Sequence, residues 1–289
     1  MNGLKKVYHV TIFPLIFLLT CQCNNEKHKT ISIKLNGLKR TAKIYLPHQP
    51  NQRKKPLIIN LHGVSDNAWL QNYRCQMNHT AQKKGFILVY PKGSGFIMRN
   101  WNDWPNEIKF ISVLIDSLVL NYFVDASRIY LVGFSQGGML AYKFASIYPE
   151  KIRALAIVGS CIDSSYIINE CKLSETIPLI AFNSKLDMSC RYNAFEYKGK
   201  KYNSVKSGIE MWVKACGFDI QPHFIINGKK FDKELWKDKF HNEIVLYTTH
   251  EGGHSWPGGK GLFFIPHFEP TQAINANDTI YNFFAKLKN

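Results

Sequence analysis

The sequence predicts an α/β fold: a mostly parallel central sheet with helices on both faces and an N-terminal β-hairpin. Near the start, two alternating runs in "ISIKLNGLKRTAKIYLP" are joined by Asn36-Gly37, a strong hairpin signal. The apolar runs that follow, such as "LIINL", are typical of strands buried on both faces. They alternate with segments whose apolar residues recur at helical spacing, as in parallel strands connected by helices.

The elements after the hairpin are bounded by changes in hydrophobic period and by Gly or Pro. Two Lys-rich stretches, residues 196–205 and 227–240, break this order and are expected to be exposed insertions. The predicted strands are residues 55–63, 85–91, 128–133, 154–160, 178–184 and 243–249, and the predicted helices are residues 67–84, 106–123, 137–148 and 278–288.

Composition excludes a disordered chain, because 45% of the 289 residues are hydrophobic. The formal net charge of +16 would suit an acidic partner such as nucleic acid or anionic lipid. Its lysines are scattered and form no long block, so no nucleic-acid partner is expected. The sequence contains no C-x-x-C or Cys/His ligand spacing, so no structural zinc site is expected. No cofactor is expected either.

The N-terminus is typical of an export signal. Lys5 and Lys6 precede an apolar run, residues 7–19, that is shorter than the about 20 residues needed to cross a bilayer. The run ends in "LLTC", which resembles a bacterial lipobox and makes Cys21 a candidate for lipidation, although Thr20 matches poorly. We therefore expect a leader at residues 1–21, one domain at 29–289, and a periplasmic or cell-surface lipoprotein. Ordinary secretion is the alternative.

Export would make disulfides feasible among the remaining cysteines. Cys161 and Cys171 flank one predicted loop and are the best candidates for a local pair, although connectivity cannot be deduced from sequence.

A G-x-S-x-G motif lies between a predicted strand and a predicted helix, in "GFSQGG". A serine on such a tight turn needs small neighbours, which Gly133 and Gly137 supply. The motif predicts Ser135 as a nucleophile rather than a capping residue.

A nucleophilic serine needs a base, and the base needs an orienting acid. Asp187 follows one predicted strand and His254 follows the next, both at carboxyl ends, where sites of open α/β sheets assemble. The order Ser, Asp, His is that of α/β-hydrolases. Glu196 is a weaker candidate for the acid.

The oxyanion of the transition state needs two N–H donors. We expect one from Gln136, directly after the nucleophile, and one from Val64, in the loop after the first central strand. His62 in that loop is then structural.

"HEGGH" also matches the zinc-protease pattern H-E-x-x-H, which requires a helix. Two glycines lie between the histidines and Pro257 follows them, so a helix is improbable. His250 and Glu251 are expected to be bystanders.

Several of these motifs together resemble the polyhydroxybutyrate depolymerase family of α/β-hydrolases, which is related to secreted feruloyl and acetylxylan esterases. They are "INLHG", "GFILVYP", "NWNDW", the stretch around "GFSQGG", and "GGHSWPGG". The resemblance spans residues 31–288 and implies Ser135, Asp187 and His254 as the triad. Two departures from the family pattern lie at residues 183–186 and at Asn106-Glu107, and they leave substrate preference open.

The sequence thus predicts an exported serine esterase acting on an ester substrate, such as a polyester or a feruloyl- or acetyl-decorated polysaccharide. A serine peptidase and a non-catalytic surface-binding lipoprotein are the alternatives. Aromatic residues near the motifs are expected to form a substrate platform: Trp101, Trp104, Tyr192 and Trp256. The sequence leaves the oligomeric state and the presence of a lid open.

Overall fold

The computed structural model describes residues 27–48, 53–95, 99–162, 176–197, 199–262 and 267–287. The predicted leader with Cys21 lies outside these residues, as does Cys171. Among the helices of the described ranges, none is long and apolar enough to cross a membrane.

The central sheet has ten strands in the order β1-β2-β4-β3-β5-β6-β7-β12-β11-β10. The six strands from β4 to β12 in this order are mutually parallel, and β1 and β2 form the predicted antiparallel hairpin at one edge. The predicted fold class is therefore confirmed. The strands are β1 Lys27–Leu35, β2 Leu38–Leu46, β3 Lys55–Leu61, β4 Ile87–Pro91, β5 Val124–Phe134, β6 Ala154–Val158, β7 Leu179–Ser184, β8 Phe195–Tyr197, β9 Lys200–Tyr202, β10 Phe224–Asn227, β11 Phe231–Lys237 and β12 Glu243–Thr249.

The far edge of the sheet differs from the expectation of an exposed insertion at residues 227–240. That stretch contributes β11, which pairs antiparallel with β12 along its full length and carries β10 outside it. Trp236 of β11 is completely buried, and its indole N–H donates to the Ile220 carbonyl oxygen at 2.8 Å. The other Lys-rich stretch forms the hairpin β8–β9, which stands apart from the main sheet.

The helices cover both faces of the sheet. One core contains side chains of α3, α4 and α5, and a second core on the opposite face contains side chains of α1, α2 and α6. The predicted helix at residues 67–84 is divided at Gln76, whose φ of 53° is left-handed. The helices are α1 Ala68–Cys75, α2 Met77–Lys84, α3 Trp104–Asn121, α4 Gln136–Ile147, α5 Val205–Ala215 and α6 Ala276–Lys286.

The chain order reverses around β3, which lies between β4 and β5. The connection from β3 to β4 runs on one face and that from β4 to β5 on the other, so their loops separate at the carboxyl end of β3. Such a switch point opens a crevice in which α/β proteins bind ligands. The oxyanion loop and the serine turn, predicted from the sequence, follow the two strands β3 and β5 that border it.

Candidate active site

Ser135 occupies a sharp turn between β5 and α4. Its backbone has φ 54° and ψ −122°, a region that costs a non-glycine residue of order 1–3 kcal/mol. Its amide donates to the Val158 carbonyl oxygen of the neighbouring strand at 3.0 Å, which holds the turn in place. The strain lifts the hydroxyl away from the strand axis and toward the crevice.

Glycines beside this turn allow backbone segments to approach one another more closely than any side chain would permit. A Cβ added to Gly133 would lie 2.4 Å from the Gly137 carbonyl oxygen. A Cβ on Gly137 would lie 2.5 Å from the carbonyl oxygens of Leu61 and His62. The same packing brings the loop after β3 against the nucleophile, so the motif glycines also position the expected oxyanion loop.

His254 reaches Ser135 from the loop after β12. Its Nε2 lies 3.0 Å from Ser135 Oγ, within direct hydrogen-bond range and with no bridging water needed. The amide of His254 donates to the His267 carbonyl oxygen at 2.8 Å, and a Cβ on Gly253 would collide with that same carbonyl group. The glycines of this loop therefore permit a close chain crossing that holds the imidazole.

Asp187 completes the relay from the loop after β7. Its Oδ2 lies 2.7 Å from His254 Nδ1, and its Oδ1 accepts the amides of Ser189 and Cys190, each at 2.8 Å. The carboxylate is thus held by two backbone donors and presents its remaining oxygen to the imidazole. Glu196, the weaker candidate, lies exposed on β8.

The hydrogen-bond partners of His254 define its role. Burial lowers the pKa of the imidazole, but the hydrogen bond that it donates to Asp187 and the charge of that carboxylate outweigh burial and hold the pKa of His254 above its ordinary value. With Nδ1–H donating to Asp187, Nε2 is left to accept the proton of Ser135. Ser135, Asp187 and His254 are all buried, so little water competes with this relay.

The two segments that carry the expected oxyanion donors adjoin Ser135. Gln136 is the first residue of α4, a position whose N–H has no partner within the helix. Val64 follows Gly63, and a Cβ on Gly63 would lie 3.3 Å from the Ser135 Cβ. The loop that carries Val64 is therefore in contact with the nucleophile, and the assignment of both donors stays a prediction.

His62 is held as a structural residue, as expected. Its Nδ1 donates to the Gly63 carbonyl oxygen at 2.7 Å, and its Nε2 accepts the Gly93 amide at 3.1 Å. Burial lowers the pKa of His62, which favours the neutral ring that these partners require.

The sequence motifs match an α/β hydrolase family model over residues 56–177. The sheet order, the strained serine turn and the Ser-Asp-His order agree with that match. This chain has the α/β-hydrolase fold.

The relatives of this chain include the groups expected from its motifs. It is 34% identical over 123 residues to a bifunctional acetylxylan esterase/xylanase of Neocallimastix patriciarum, covering 42% of this chain and 18% of that protein. It is 25% identical to feruloyl esterase B of Piromyces equi, covering 74% of this chain and 42% of that protein. It is 23% identical to poly(3-hydroxyalkanoate) depolymerase C of Paucimonas lemoignei, covering 58% of this chain and 42% of that protein. The chain thus spans less than half the length of each of these relatives.

Solved structures share the fold. The acetyl xylan esterase from Aspergillus awamori superposes with a TM-score of 0.65 at 13% identity, covering 89% of this chain and 99% of that one. At this identity the likeness establishes the fold alone.

A buried ion pair that the sequence did not indicate ties the loops of the candidate site together. Arg74 of α1 pairs with Asp66 of the oxyanion loop, and its guanidinium lies 4.5 Å from the ring centre of Phe134, next to the nucleophile. The Arg74 carbonyl oxygen accepts the amide of Lys260, beyond the base. Only the three-dimensional structure brings these segments together, since nothing in the local spacing marks Arg74.

Ser184 also supports the relay. Its hydroxyl donates to the Gly252 carbonyl oxygen at 2.6 Å and accepts the Leu186 amide at 3.0 Å. It therefore links the acid loop to the base loop within the segment where the sequence departs from its resembled family.

The H-E-x-x-H interpretation fails on conformation, because the segment is a loop and not a helix. His250 Nε2 lies 2.8 Å from Asp232 Oδ2, and Glu251 accepts the Thr271 hydroxyl. His250 and His254 thus contact different partners. Within the described ranges, no group of three His, Cys, Asp or Glu residues is arranged to hold a metal.

The expected aromatic platform is wrong for two of its four members. Trp101 and Trp256 are completely buried, so neither offers a ring face to a substrate. Trp101 donates its indole N–H to the His62 carbonyl oxygen, and Trp256 donates to Asn277 of α6. They brace the oxyanion and base loops. Trp104 and Tyr192 are half-buried against the core, and their contact with a substrate stays a prediction.

Exposed apolar side chains instead flank the catalytic loops. Val64 is 56% exposed in the oxyanion loop, and Leu186 and Met188, on either side of Asp187, are 55% and 61% exposed. Trp69 of α1 is 71% exposed and stacks on Tyr73, with ring centres 5.7 Å apart. Sequence pattern did not single out these side chains because exposure of single residues in loops is not periodic.

The cysteines near the acid loop are free and buried. Cys161 has the Cys190 thiol as a neighbour, and its expected partner Cys171 lies outside the described residues. The hydrogen bond between these thiols and burial raise the pKa of Cys190 well above its ordinary value, so Cys190 is a neutral thiol.

Proposed function

We propose that this α/β-hydrolase is a serine esterase that cleaves carboxylic esters through an acyl-enzyme. The observation that carries the proposal is the continuous relay from Ser135 Oγ to His254 Nε2, at 3.0 Å, and from His254 Nδ1 to Asp187 Oδ2, at 2.7 Å. This arrangement supplies an activated nucleophile, a base and an orienting acid.

In the acylation step, Ser135 Oγ attacks the ester carbonyl carbon while His254 Nε2 takes the hydroxyl proton. Asp187 stays ionised and stabilises the imidazolium. The amides of Gln136 and Val64 receive the oxyanion of the tetrahedral intermediate. His254 then gives its proton to the departing alcohol, and a water activated by the same imidazole releases the acid from the acyl-enzyme.

The substrate class follows from the relatives and from the exposed rim. The names of the relatives point to feruloyl and acetyl esters on polysaccharide or to a poly(3-hydroxyalkanoate). Val64, Leu186 and Met188 offer an apolar rim to an acyl group or polyester chain, and Trp69 offers a ring face. We propose that these residues contact the substrate, together with the half-buried Trp104 and Tyr192.

Substrate panels test the proposal. The purified protein should hydrolyse p-nitrophenyl acetate and methyl ferulate, and Ser135→Ala should lower kcat by on the order of 10⁴ to 10⁶. Ser146→Ala, a serine at the other end of the same helix, is the matched control and should keep wild-type rates. Equal rates for Ser135→Ala and wild type would refute the mechanism.

The same panel separates the alternatives. Turnover of peptide amides with comparable kcat/KM would favour a serine peptidase, since the triad serves both reactions. Absence of turnover on every ester and amide would favour a non-catalytic binding lipoprotein.

We further propose export and lipid attachment at Cys21, supported by the charged and apolar pattern of the first 21 residues. Labelling with a palmitate analogue in a bacterial host should be lost in Cys21→Ala and kept in Cys23→Ala. Labelling that persists in Cys21→Ala would refute lipidation at this residue.

A further inference from the structure

A second cavity lies at the same edge of the sheet as the triad. It has a volume of about 280 Å³ and lies between the β1–β2 hairpin, the loop after β4 and the start of α3. Its wall carries four basic side chains, which we call the basic pocket: Lys39, Arg40, Lys92 and Arg99.

The positive charge of this pocket is not balanced by the protein. Arg40 is neutralised by the buried Glu107, which also accepts the Ser94 hydroxyl. Among the described residues, no carboxylate forms an ion pair with Lys39, Lys92 or Arg99.

One carboxylate in the same wall offsets part of this charge and leaves an excess of cations. Asp103, the one lining carboxylate among the described residues, is used to cap α3 and to bind the Asn106 side chain at 2.7 Å. Burial together with the charges of Arg99 and Lys43 lowers the pKa of Lys92, as expected for uncompensated cations close together. Arg99 donates one guanidinium N–H to the Gly93 carbonyl oxygen, which leaves other donors of its fork for a ligand.

The pocket is joined to the catalytic centre through the segment that follows Arg99. The Asn100 side chain accepts the amide of Ser65 in the oxyanion loop at 2.8 Å. The amide of Trp101 donates to the Gln136 side chain at 3.0 Å, directly beside the nucleophile. β4, whose loop forms the pocket wall, is separated from β5 only by β3, a distance of about 10 Å at strand spacing.

We propose that the basic pocket binds a carboxylate carried by the substrate, at a point separate from the ester that Ser135 attacks. The inference rests on the proposed esterase function and specifies its substrate as an acidic ester. Guanidinium and ammonium groups suit a carboxylate, and the cavity has room for a sugar-sized group. Two sources share this chemistry: a uronic acid on a polysaccharide and the free end of a hydroxyalkanoate oligomer.

Matched substrate pairs test the proposal in two arms. One arm compares acetylated xylo-oligosaccharides with and without a glucuronic acid branch. The other compares hydroxybutyrate oligomers having a free or a methylated terminal carboxylate. The wild type should prefer the acidic member of at least one pair, and the arm in which it does so identifies the source.

Lys92→Gln combined with Arg99→Gln should reduce the acidic-to-neutral ratio of kcat/KM by about tenfold or more, as expected on loss of a charged hydrogen bond. Lys109→Gln removes a cation from the exposed side of α3 and should leave the ratio unchanged. Raising the salt concentration should reduce the wild-type preference as well, because exposed charges are screened.

The outcomes separate this proposal from the esterase function. If the protein hydrolyses p-nitrophenyl acetate but cleaves both members of each pair at equal rates, the carboxylate site is overturned and the esterase function stands. Absence of all ester turnover would overturn the esterase function. Even then, the pocket would be supported if calorimetry shows that glucuronate or 3-hydroxybutyrate binds Ser135→Ala. This binding should be lost when Lys92→Gln and Arg99→Gln are added. A preference that the double variant retains would also overturn the site.

Discussion

Two buried histidines at the same edge of the sheet differ in the direction of their pKa shift because their partners differ. The His62 ring, after β3, is 1% exposed and bonds only to backbone groups, and burial lowers its pKa. His254, after β12, is 4% exposed and lies between the Asp187 carboxylate and the Ser135 hydroxyl. Burial lowers the pKa of His254, but its hydrogen bond to Asp187 and the charge of that carboxylate outweigh burial and raise the pKa. Burial alone therefore does not decide how a buried histidine titrates.

Replacement of His254 should give the largest effect in this comparison. His254→Ala removes the base, so kcat on p-nitrophenyl acetate should fall by about 10⁴ to 10⁶ with the fold retained. Steady-state assays and circular dichroism measure this, with the exposed His79→Ala as control. A loss below tenfold would show that another group acts as the base.

Asp187→Asn should be nearly as harmful. The amide can donate to the imidazole and stabilise the wrong tautomer, and an equivalent change in another serine hydrolase costs about 10⁴ in kcat. Rates of Asp187→Asn, measured beside those of Glu196→Gln on the exposed β8, test this prediction. If Asp187→Asn keeps the wild-type rate, Asp187 does not take part in the relay.

His62→Ala should lower the stability of the protein more than its activity, the reverse of His254→Ala. It leaves the Gly93 amide without a partner and a cavity beside Trp101, so the free energy of unfolding should fall by about 2–4 kcal/mol. Activity should fall far less than in His254→Ala, through displacement of the oxyanion loop. Urea denaturation and kinetics on the same sample measure both. If His62→Ala instead matches His254→Ala in kcat and keeps full stability, the comparison is wrong.

The pH profile should show the smallest effect. Because the pKa of His254 is raised, the imidazole stays protonated, and inactive as a base, to a higher pH than an ordinary histidine. As pH falls through this value, kcat/KM should fall, with the midpoint of the acid limb above the ordinary histidine value of about 6.5. A midpoint below that value would contradict the influence assigned to Asp187.

The sequence was sufficient for the fold class and for naming the three side chains that the structure brings into hydrogen-bond contact, Ser135, Asp187 and His254, because both depend on local patterns. Buried parallel strands are continuous apolar runs, and the nucleophile, acid and base each follow such a strand. Gly133 and Gly137 were informative because the backbone contacts at this turn exclude any side chain.

Features that depend on long-range packing were not predictable. β11 carries Lys233 and Lys237 among its seven residues, so its pattern resembled a solvated insertion, yet pairing with β12 buries Trp236. Trp101 and Trp256 lie next to functional motifs in sequence, but their indole groups point into the protein and brace the loops. The Arg74–Asp66 ion pair and the basic pocket join segments whose proximity only the fold creates.

The most direct test of the central claim is to locate the nucleophile chemically. The protein would be treated with a fluorophosphonate probe, digested and mapped by mass spectrometry. We predict a single adduct on the peptide containing Ser135, absent from Ser135→Ala and strongly slowed in His254→Ala. An adduct on another serine, or none on the active wild-type protein, would contradict the account.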